Sequence, residues 1–171
     1  MFAVMEPWTA ALANAWRNRL RRWFPYVLLA GAAVWLWWPR SSGPEAGVAA
    51  PDFELPMVTP PKERFHLAAQ RGQPILIEVF ASWCDACRGS AATLVEVAAA
   101  PRTQPLRVVA ISVDEEAELA AVTAREWGLT VPVLHADAAF SDSYGITMLP
   151  TYILVGPDGT VQRSASGPLG P

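Results

Sequence analysis

The chain has 171 residues, of which 52% are hydrophobic, and its formal net charge is −3. This length is sufficient for one domain with a substantial core, and the composition excludes an intrinsically disordered chain. Residues 1–40 carry five arginines against one acidic residue, whereas residues 41–171 carry 8 basic and 15 acidic side chains. The C-terminal part is therefore acidic, which argues against nucleic-acid binding through a basic face.

An uncharged run over residues 23–38 follows four arginines. As a helix this run spans roughly 24 Å, which is short of the ~30 Å hydrocarbon core of a bilayer, and Arg21 and Arg22 extend it by snorkelling. Aromatic residues at both ends are typical of membrane interfaces, and arginines before a span keep that end cytoplasmic. We therefore predict a cytoplasmic segment over residues 1–22 and a single transmembrane helix over residues 23–39.

A cleaved signal peptide is the alternative to this anchor. The only small-residue site nearby is the sequence VAA at residues 48–50, and Pro51 directly after it disfavours cleavage. We therefore expect a retained anchor. Residues 40–51 are rich in small residues and proline, which predicts a linker between the membrane and a domain over residues 52–171.

The first half of this domain predicts a hairpin, a strand and a helix. Two short strands, around residues 53–55 and Arg64–His66, form the hairpin. The run Ile75–Phe80 is nearly all apolar, as expected of a strand that is buried on both faces. A helix follows from Cys84 and is stopped by Pro101.

The second half continues the alternation of strands and helices. Residues 106–114 predict another buried strand, and residues 114–128 predict a helix capped by Asp114. The remaining elements are an extended segment, a short helix and a hairpin; they cover residues 131–137, residues 139–146, Thr151–Val155 and residues 160–165. This order predicts an α/β fold with a mixed central sheet that is flanked by helices.

Cys84 and Cys87 are the only cysteines in the chain, and three kinds of site are compatible with them. A structural disulfide is disfavoured because it closes a very short loop and gains little chain entropy. A tetrahedral zinc site is disfavoured because it needs further ligands, and the only histidines are His66 and His135. The favoured interpretation is a redox dithiol.

The predicted position of Cys84 at a helix N-terminus supports redox chemistry. Unpaired N–H groups and the helix dipole stabilise a thiolate there, and the thiolate is the attacking species in disulfide exchange. We predict that Cys84, next to Trp83, is exposed and nucleophilic. Cys87, one helical turn later, is predicted to be shielded and to resolve the mixed disulfide.

Several motifs of this chain resemble the thioredoxin superfamily. They are FASWCDAC after a hydrophobic strand, APDFELP before it, and EWGLTVPVLHAD and YGITMLPTYILVGPDG after it. The last three are similar to the membrane-anchored periplasmic thiol-disulfide oxidoreductases of the TlpA, ResA and cytochrome-c-maturation type, and to thioredoxin-like suppressors of copper sensitivity. The resemblance covers about residues 50–167 and implies a thioredoxin-like fold.

The resemblance also implies roles for residues around the dithiol. The Leu149–Pro150 bond is expected to be cis, with Pro150 beside the dithiol and the backbone of Leu149 open to a substrate peptide. Trp83 is expected to pack beside the cysteine pair. Glu78 interrupts an apolar strand, and a matching buried acid in the family implies that Glu78 takes a proton from Cys87.

By this resemblance the chain is a protein disulfide reductase that is tethered to the bacterial inner membrane and faces the periplasm. The Cys84–Cys87 disulfide is its only expected redox group, with no metal or other cofactor. The implied partners are cysteine-containing periplasmic proteins, such as apocytochrome c or copper-site proteins, and a membrane dithiol transporter as electron donor. The alternative is a protein that binds Cu(I) through its two thiolates, for copper-centre assembly or copper tolerance.

The chain departs from the family pattern in two places. Asp85 and Ala86 stand between the cysteines where much of the family has a proline, and the anion of Asp85 opposes ionisation of Cys84. We therefore expect a reductant more than a strong oxidant. The sequence ends in SASGPLGP without the family's usual last helix, so one face of the sheet is expected to be less covered.

Overall fold

The computed structural model describes residues 42–168. The predicted cytoplasmic segment and transmembrane helix, residues 1–22 and 23–39, lie outside the described residues and stay predictions. Over residues 42–168, no helix has both the length and the apolar character that a membrane span requires.

Seven strands and three α-helices follow residue 50. In chain order they are β1 (Glu54–Pro56), β2 (Arg64–His66), a 3₁₀ turn (Ala68–Gln70), β3 (Ile75–Phe80), α1 (Asp85–Ala99), β4 (Arg107–Ser112), α2 (Ala117–Glu126), β5 (Val133–His135), α3 (Ala138–Tyr144), β6 (Thr151–Val155) and β7 (Val161–Ser166). Every predicted strand and helix after residue 52 therefore has an observed counterpart, with ends that differ by one to three residues for most of them.

The main sheet has the strand order β5-β4-β3-β6-β7. Strands β3, β4 and β5 run parallel, whereas β6 is antiparallel to both β3 and β7. Parallel neighbours need a crossover, and α1 and α2 supply the two crossovers of this sheet. Strands β1 and β2 form the separate hairpin that the sequence predicts. The predicted α/β fold with a mixed central sheet is confirmed.

Each face of the sheet is covered by its own hydrophobic cluster. Successive side chains of a strand point to opposite faces. Ile75, Ile77 and Val79 of β3 pack with Phe53, Phe65, Phe140 and other apolar residues in one cluster. Phe80 packs with Cys84, Cys87, Leu94 of α1 and Ala124 of α2 in the other. Strand β3 is thus buried on both faces, as its composition predicts.

The predicted start of helix α2 is wrong. Asp114 does not cap it; the helix begins at Ala117, after Glu116, which makes no side-chain capping bond. The reason is that the carboxylate of Asp114 accepts hydrogen bonds from Ser82 and Ser112 instead. A local capping signal has been overridden by a tertiary contact.

Residues 42–50 do not form a free linker. Gly47 N–H donates to the carbonyl of Val161 over 2.7 Å, and Val161 N–H donates back to Val48 over 2.8 Å. Ala50 N–H donates to Gly159 over 3.0 Å. The segment that sequence composition predicts as part of a spacer is therefore fastened along the edge of the sheet at β7.

Candidate active site

The two cysteines lie where β3 ends and α1 begins. Cys84 is the N-cap of α1, with extended backbone, and its Sγ accepts the backbone N–H of Cys87 over 3.1 Å. The two residues are joined by a disulfide, with their Cα atoms 5.3 Å apart. The sulfur of Cys84 therefore already receives one of the N–H groups that would stabilise a thiolate at a helix N-terminus.

The predicted exposure of Cys84 is wrong. Cys84 is 7% exposed and Cys87 is 1% exposed, because both pack into the cluster between the sheet and helices α1 and α2. Trp83, which we predict to pack beside the cysteine pair, is 73% exposed. The residue directly before Cys84 thus presents a large apolar side chain to solvent, whereas the sulfur of Cys84 is buried.

Asp114 holds the loop that carries the cysteines. Its carboxylate oxygens lie 3.0 Å from the backbone nitrogen of Ser82, and Oδ1 accepts the Ser82 hydroxyl over 2.7 Å. Oδ2 accepts the Ser112 hydroxyl, also over 2.7 Å. This buried carboxylate therefore fixes the chain two residues before Cys84.

The sequence signal for this role was present but ambiguous. Asp114 stands two residues after the end of β4, as Ser82 stands two residues after the end of β3. The carboxyl ends of neighbouring parallel strands lie at the same edge of a sheet. An aspartate directly before a predicted helix is also a common N-cap, and this is the role that the sequence predicts for Asp114. Asp114 is a site residue that sequence reasoning missed.

Glu78 is buried and has a single side-chain partner. It is 2% exposed. It lies two positions from both Leu76 and Phe80 on β3, so its side chain points to the same face as theirs, which α1 and α2 cover. Its partner is Tyr152, the residue opposite it on β6, whose hydroxyl donates to Oε1 over 3.0 Å. Glu78 therefore shares the covered face with Cys84 and Cys87.

Burial raises the pKa of Glu78 to about 7, although the hydrogen bond from Tyr152 acts in the opposite direction. Burial also raises the pKa of Tyr152, so its phenol stays protonated and remains a donor. A carboxyl group with a pKa near neutral pH exists in both protonation states under ordinary conditions. Glu78 is therefore suited to accept and release a proton.

The loop before β6, residues 145–150, is the third part of the site and is called the proline loop below. The Leu149–Pro150 bond is cis, as the resemblance implies. Leu149 is partly buried and packs against the cluster that contains both cysteines, whereas Pro150 is buried. Met148 is 55% exposed, so it adds a second accessible apolar side chain that sequence reasoning did not single out.

The histidines do not extend the site toward metal binding. The ring of His66 pairs with Asp52, and the ring of His135 lies 2.9 Å from the backbone oxygen of Asp114. Across residues 42–168, no three His, Cys, Asp or Glu side chains are grouped so that they could hold a metal ion.

Comparison with known proteins gives this site a family context. The AhpC/TSA family model matches residues 46–164. Thiol-disulfide oxidoreductase ResA of Oceanobacillus iheyensis is 27% identical over 126 residues, which are 72% of this chain and 66% of that protein. Thiol:disulfide interchange protein CycY of Rhizobium leguminosarum bv. viciae is 33% identical over 103 residues, 59% of this chain and 54% of that protein. The chain spans about two thirds of the length of the first curated relatives it matches.

Solved structures of related proteins have a similar fold. A crystal structure described as a thiol:disulfide interchange protein DsbE from Chlorobium tepidum has a TM-score of 0.67 and 25% identity, and covers 73% of this chain and 87% of that one. A second protein from that organism, of the thioredoxin family, has a TM-score of 0.63 over 74% of this chain and 90% of its own. The thioredoxin-like fold and the resemblance to ResA and DsbE proteins are confirmed.

The pKa of Glu78 makes stability depend on pH. Between the ordinary value of 4.5 and about 7, the folded state holds a proton on Glu78 that the unfolded state has lost. The contribution of Glu78 to the free energy of unfolding is therefore present below pH 4.5 and declines by ~3 kcal/mol as the pH rises through 7. Glu78→Gln should be more stable than the wild type at about pH 8 and similar to it at about pH 4. Urea titrations of the oxidised proteins at both pH values measure this difference, and an equal stability difference at both would contradict it.

The hydrogen bonds of Asp114 predict that Asp114→Asn destabilises the protein, whereas the same substitution at a control position does not. Asp114→Asn replaces one acceptor oxygen by an N–H₂ group that faces the donors from Ser82 and Ser112, so we expect the free energy of unfolding to fall by ~1–3 kcal/mol. Asp137→Asn is the control, because exposed Asp137 caps α3 with one hydrogen bond that asparagine also accepts. Equal stability of the two variants in urea would show that the Asp114 contacts do not hold the loop.

Proposed function

Because the chain belongs to the AhpC/TSA family, we propose that it is a thiol-disulfide oxidoreductase that reduces disulfides in protein substrates. One observation carries this proposal: Cys84 and Cys87 form a disulfide at the start of α1, where the sulfur of Cys84 accepts a helix N–H group. The names of the relatives, thiol-disulfide oxidoreductase and thiol:disulfide interchange protein, support the same activity.

The proposed reaction begins with the reduced dithiol. The thiolate of Cys84 attacks one sulfur of the substrate disulfide; that S–S bond breaks, a mixed disulfide forms, and the second substrate sulfur leaves as a thiolate. Cys87 then attacks the sulfur of Cys84, which releases the reduced substrate and forms the Cys84–Cys87 disulfide. Two electrons pass from the dithiol to the substrate.

Glu78 is the proposed proton acceptor for Cys87. The thiol of Cys87 must lose its proton before it attacks, and the residue is too buried for bulk water to reach it readily. Glu78 lies on the same covered face, and its pKa of about 7 is close to operating pH, which is the range in which a general base is effective.

The proposed substrate surface surrounds the disulfide. Trp83 and Met148 are two of the few large hydrophobic side chains that are exposed between residues 42 and 168. Exposed aromatic and thioether groups provide apolar contact area for a polypeptide. We propose that Trp83, Leu149 and Pro150, together with Met148, form the face that receives the segment around a substrate cysteine.

The cellular setting belongs to the same proposal. We place the domain in the periplasm, tethered to the inner membrane by the helix predicted over residues 23–39. Oxidised protein must be reduced again before each turnover, and a membrane dithiol transporter is the proposed electron donor. Cysteine-containing periplasmic proteins, apocytochrome c or copper-site proteins among them, are the proposed substrates.

The activity can be tested with insulin as a model disulfide substrate. With dithiothreitol as electron donor, the wild-type protein should accelerate the reduction of insulin. In the presence of a Cys84→Ser/Cys87→Ser variant, insulin should be reduced no faster than by dithiothreitol alone. Tight one-to-one Cu(I) binding that depends on both cysteines, without insulin reduction by the wild type, would contradict the proposal and support copper handling.

The charge of Asp85 predicts the redox potential of the pair. An anion next to Cys84 disfavours its thiolate, so the reduced form gains less stability than in a strong oxidant. We expect equilibrium titration against glutathione to give a potential well below the −120 mV of a strong oxidant.

Substitution of Asp85 tests this explanation directly. Asp85→Asn should make the potential less negative, whereas Asp142→Asn, at an exposed position of α3 that is not adjacent in sequence to either cysteine, should leave it unchanged. A wild-type potential near −120 mV, or no shift in Asp85→Asn, would contradict this explanation.

A further inference from the structure

The hydroxyl of Ser42 lies inside the proline loop. Ser42 is 2% exposed, and its Oγ accepts the backbone N–H of Thr147 over 3.0 Å and that of Met148 over 3.3 Å. It also lies 2.9 Å from the hydroxyl of Thr151, which donates to the carbonyl of Met148 over 2.7 Å. One serine side chain therefore binds both N–H groups that precede Leu149.

Gly43 allows this close approach. Its N–H donates to the carbonyl of Gly145, at the start of the proline loop, over 3.3 Å. A Cβ at Gly43 would lie 3.2 Å from Ser164 and 3.3 Å from the methyl group of Thr151, and its φ of +93° is one that residues with side chains rarely adopt. A side chain at this position would therefore strain the backbone and crowd the side chains of Ser164 and Thr151.

We propose that Ser42 is a positioning residue for substrate binding: its hydroxyl fixes the proline loop in the conformation that presents Met148 and Leu149 to a substrate polypeptide. The proposal rests on the function proposed above. Thr147 and Met148 lie outside the helices and strands, so no helix or sheet partner fixes their N–H groups, and Ser42 Oγ accepts from both. Ser42 supplies that acceptor from more than 100 residues earlier in the chain.

The position of Ser42 in the sequence gives the contact a further consequence. It stands three residues after the end of the helix predicted over residues 23–39. The described part of the chain therefore begins beside the proline loop, and its first residue supports the proposed substrate surface.

Ser42→Ala tests the proposal by separating binding of a polypeptide from dithiol chemistry. Without the hydroxyl, the N–H groups of Thr147 and Met148 lose their acceptor, and the loop should populate other conformations. We expect KM for insulin to rise about tenfold, since a factor of ten corresponds to the loss of one modest hydrogen bond. Reduction of a small aromatic disulfide, which needs no extended surface, should keep its wild-type rate.

Two matched controls distinguish positioning from general stabilisation. Ser164→Ala removes the 2.6 Å hydrogen bond from Ser164 to Pro44 and so loosens the same segment without touching the proline loop. Gly47→Ala introduces a side chain at a φ of +88° with no atom within 4 Å, whereas Gly43→Ala adds the contacts with Ser164 and Thr151. Ser42→Ala and Gly43→Ala should raise KM for insulin, and the two controls should not.

Hydrogen exchange provides a readout that does not depend on activity. The amides of Thr147 and Met148 should be protected in the wild-type protein and exchange faster in Ser42→Ala, with little change in Ser164→Ala. Unchanged exchange in Ser42→Ala, or equal effects of Ser42→Ala and Ser164→Ala on KM, would overturn the proposal. If the wild-type protein did not reduce insulin, the proposed function would be wrong. The exchange measurement would still show whether Ser42 fixes the proline loop.

Discussion

Strand β3 is hydrogen-bonded to β4 on one side and to β6 on the other, and hydrophobic clusters cover both of its faces. This burial determines the rest of the site. The chain leaves β3 at a fixed point and enters α1 at Cys84, so the sulfur lies among the first N–H groups of that helix. The same burial shields the carboxylate of Glu78 from solvent, and this desolvation raises its pKa toward neutrality. The proposed proton acceptor thus lies in this strand, and the proposed nucleophile lies at the start of the helix that follows it.

Polar contacts from distant parts of the chain hold the loops around this strand. Asp114 fixes the loop before Cys84, Tyr152 binds Glu78, and Ser42 binds the proline loop. Each of the three is buried, and each makes a hydrogen bond to a different part of the proposed site. Such support is what keeps reacting groups within reach of a productive geometry.

The sequence predicted the features that depend on local pattern. Apolar runs gave the strands, the strand-to-helix transition gave the position of Cys84, and an acid within an apolar strand identified Glu78. Features that depend on tertiary contacts were not predictable in this way. Asp114 suits a helix cap as well as a loop anchor, and only the pairing of β3 with β4 decides between them. Small residues and proline around Ser42 suit a free linker equally well, because its acceptor role depends on a loop more than 100 residues away. The exposure of Cys84 was mispredicted for a related reason, since the packing of α1 against the sheet buries its sulfur.

The two cysteines have separate roles in the proposed reaction, and trapping of a mixed disulfide tests these roles directly. In a Cys87→Ala variant, Cys84 can attack a substrate but nothing resolves the intermediate, so a protein should stay bound through Cys84 and be released by dithiothreitol. Mass spectrometry of the trapped complex would identify the substrate, and a Cys84→Ala variant should trap none. Equal trapping by both variants, or trapping through Cys87 alone, would contradict the assignment of Cys84 as the nucleophile.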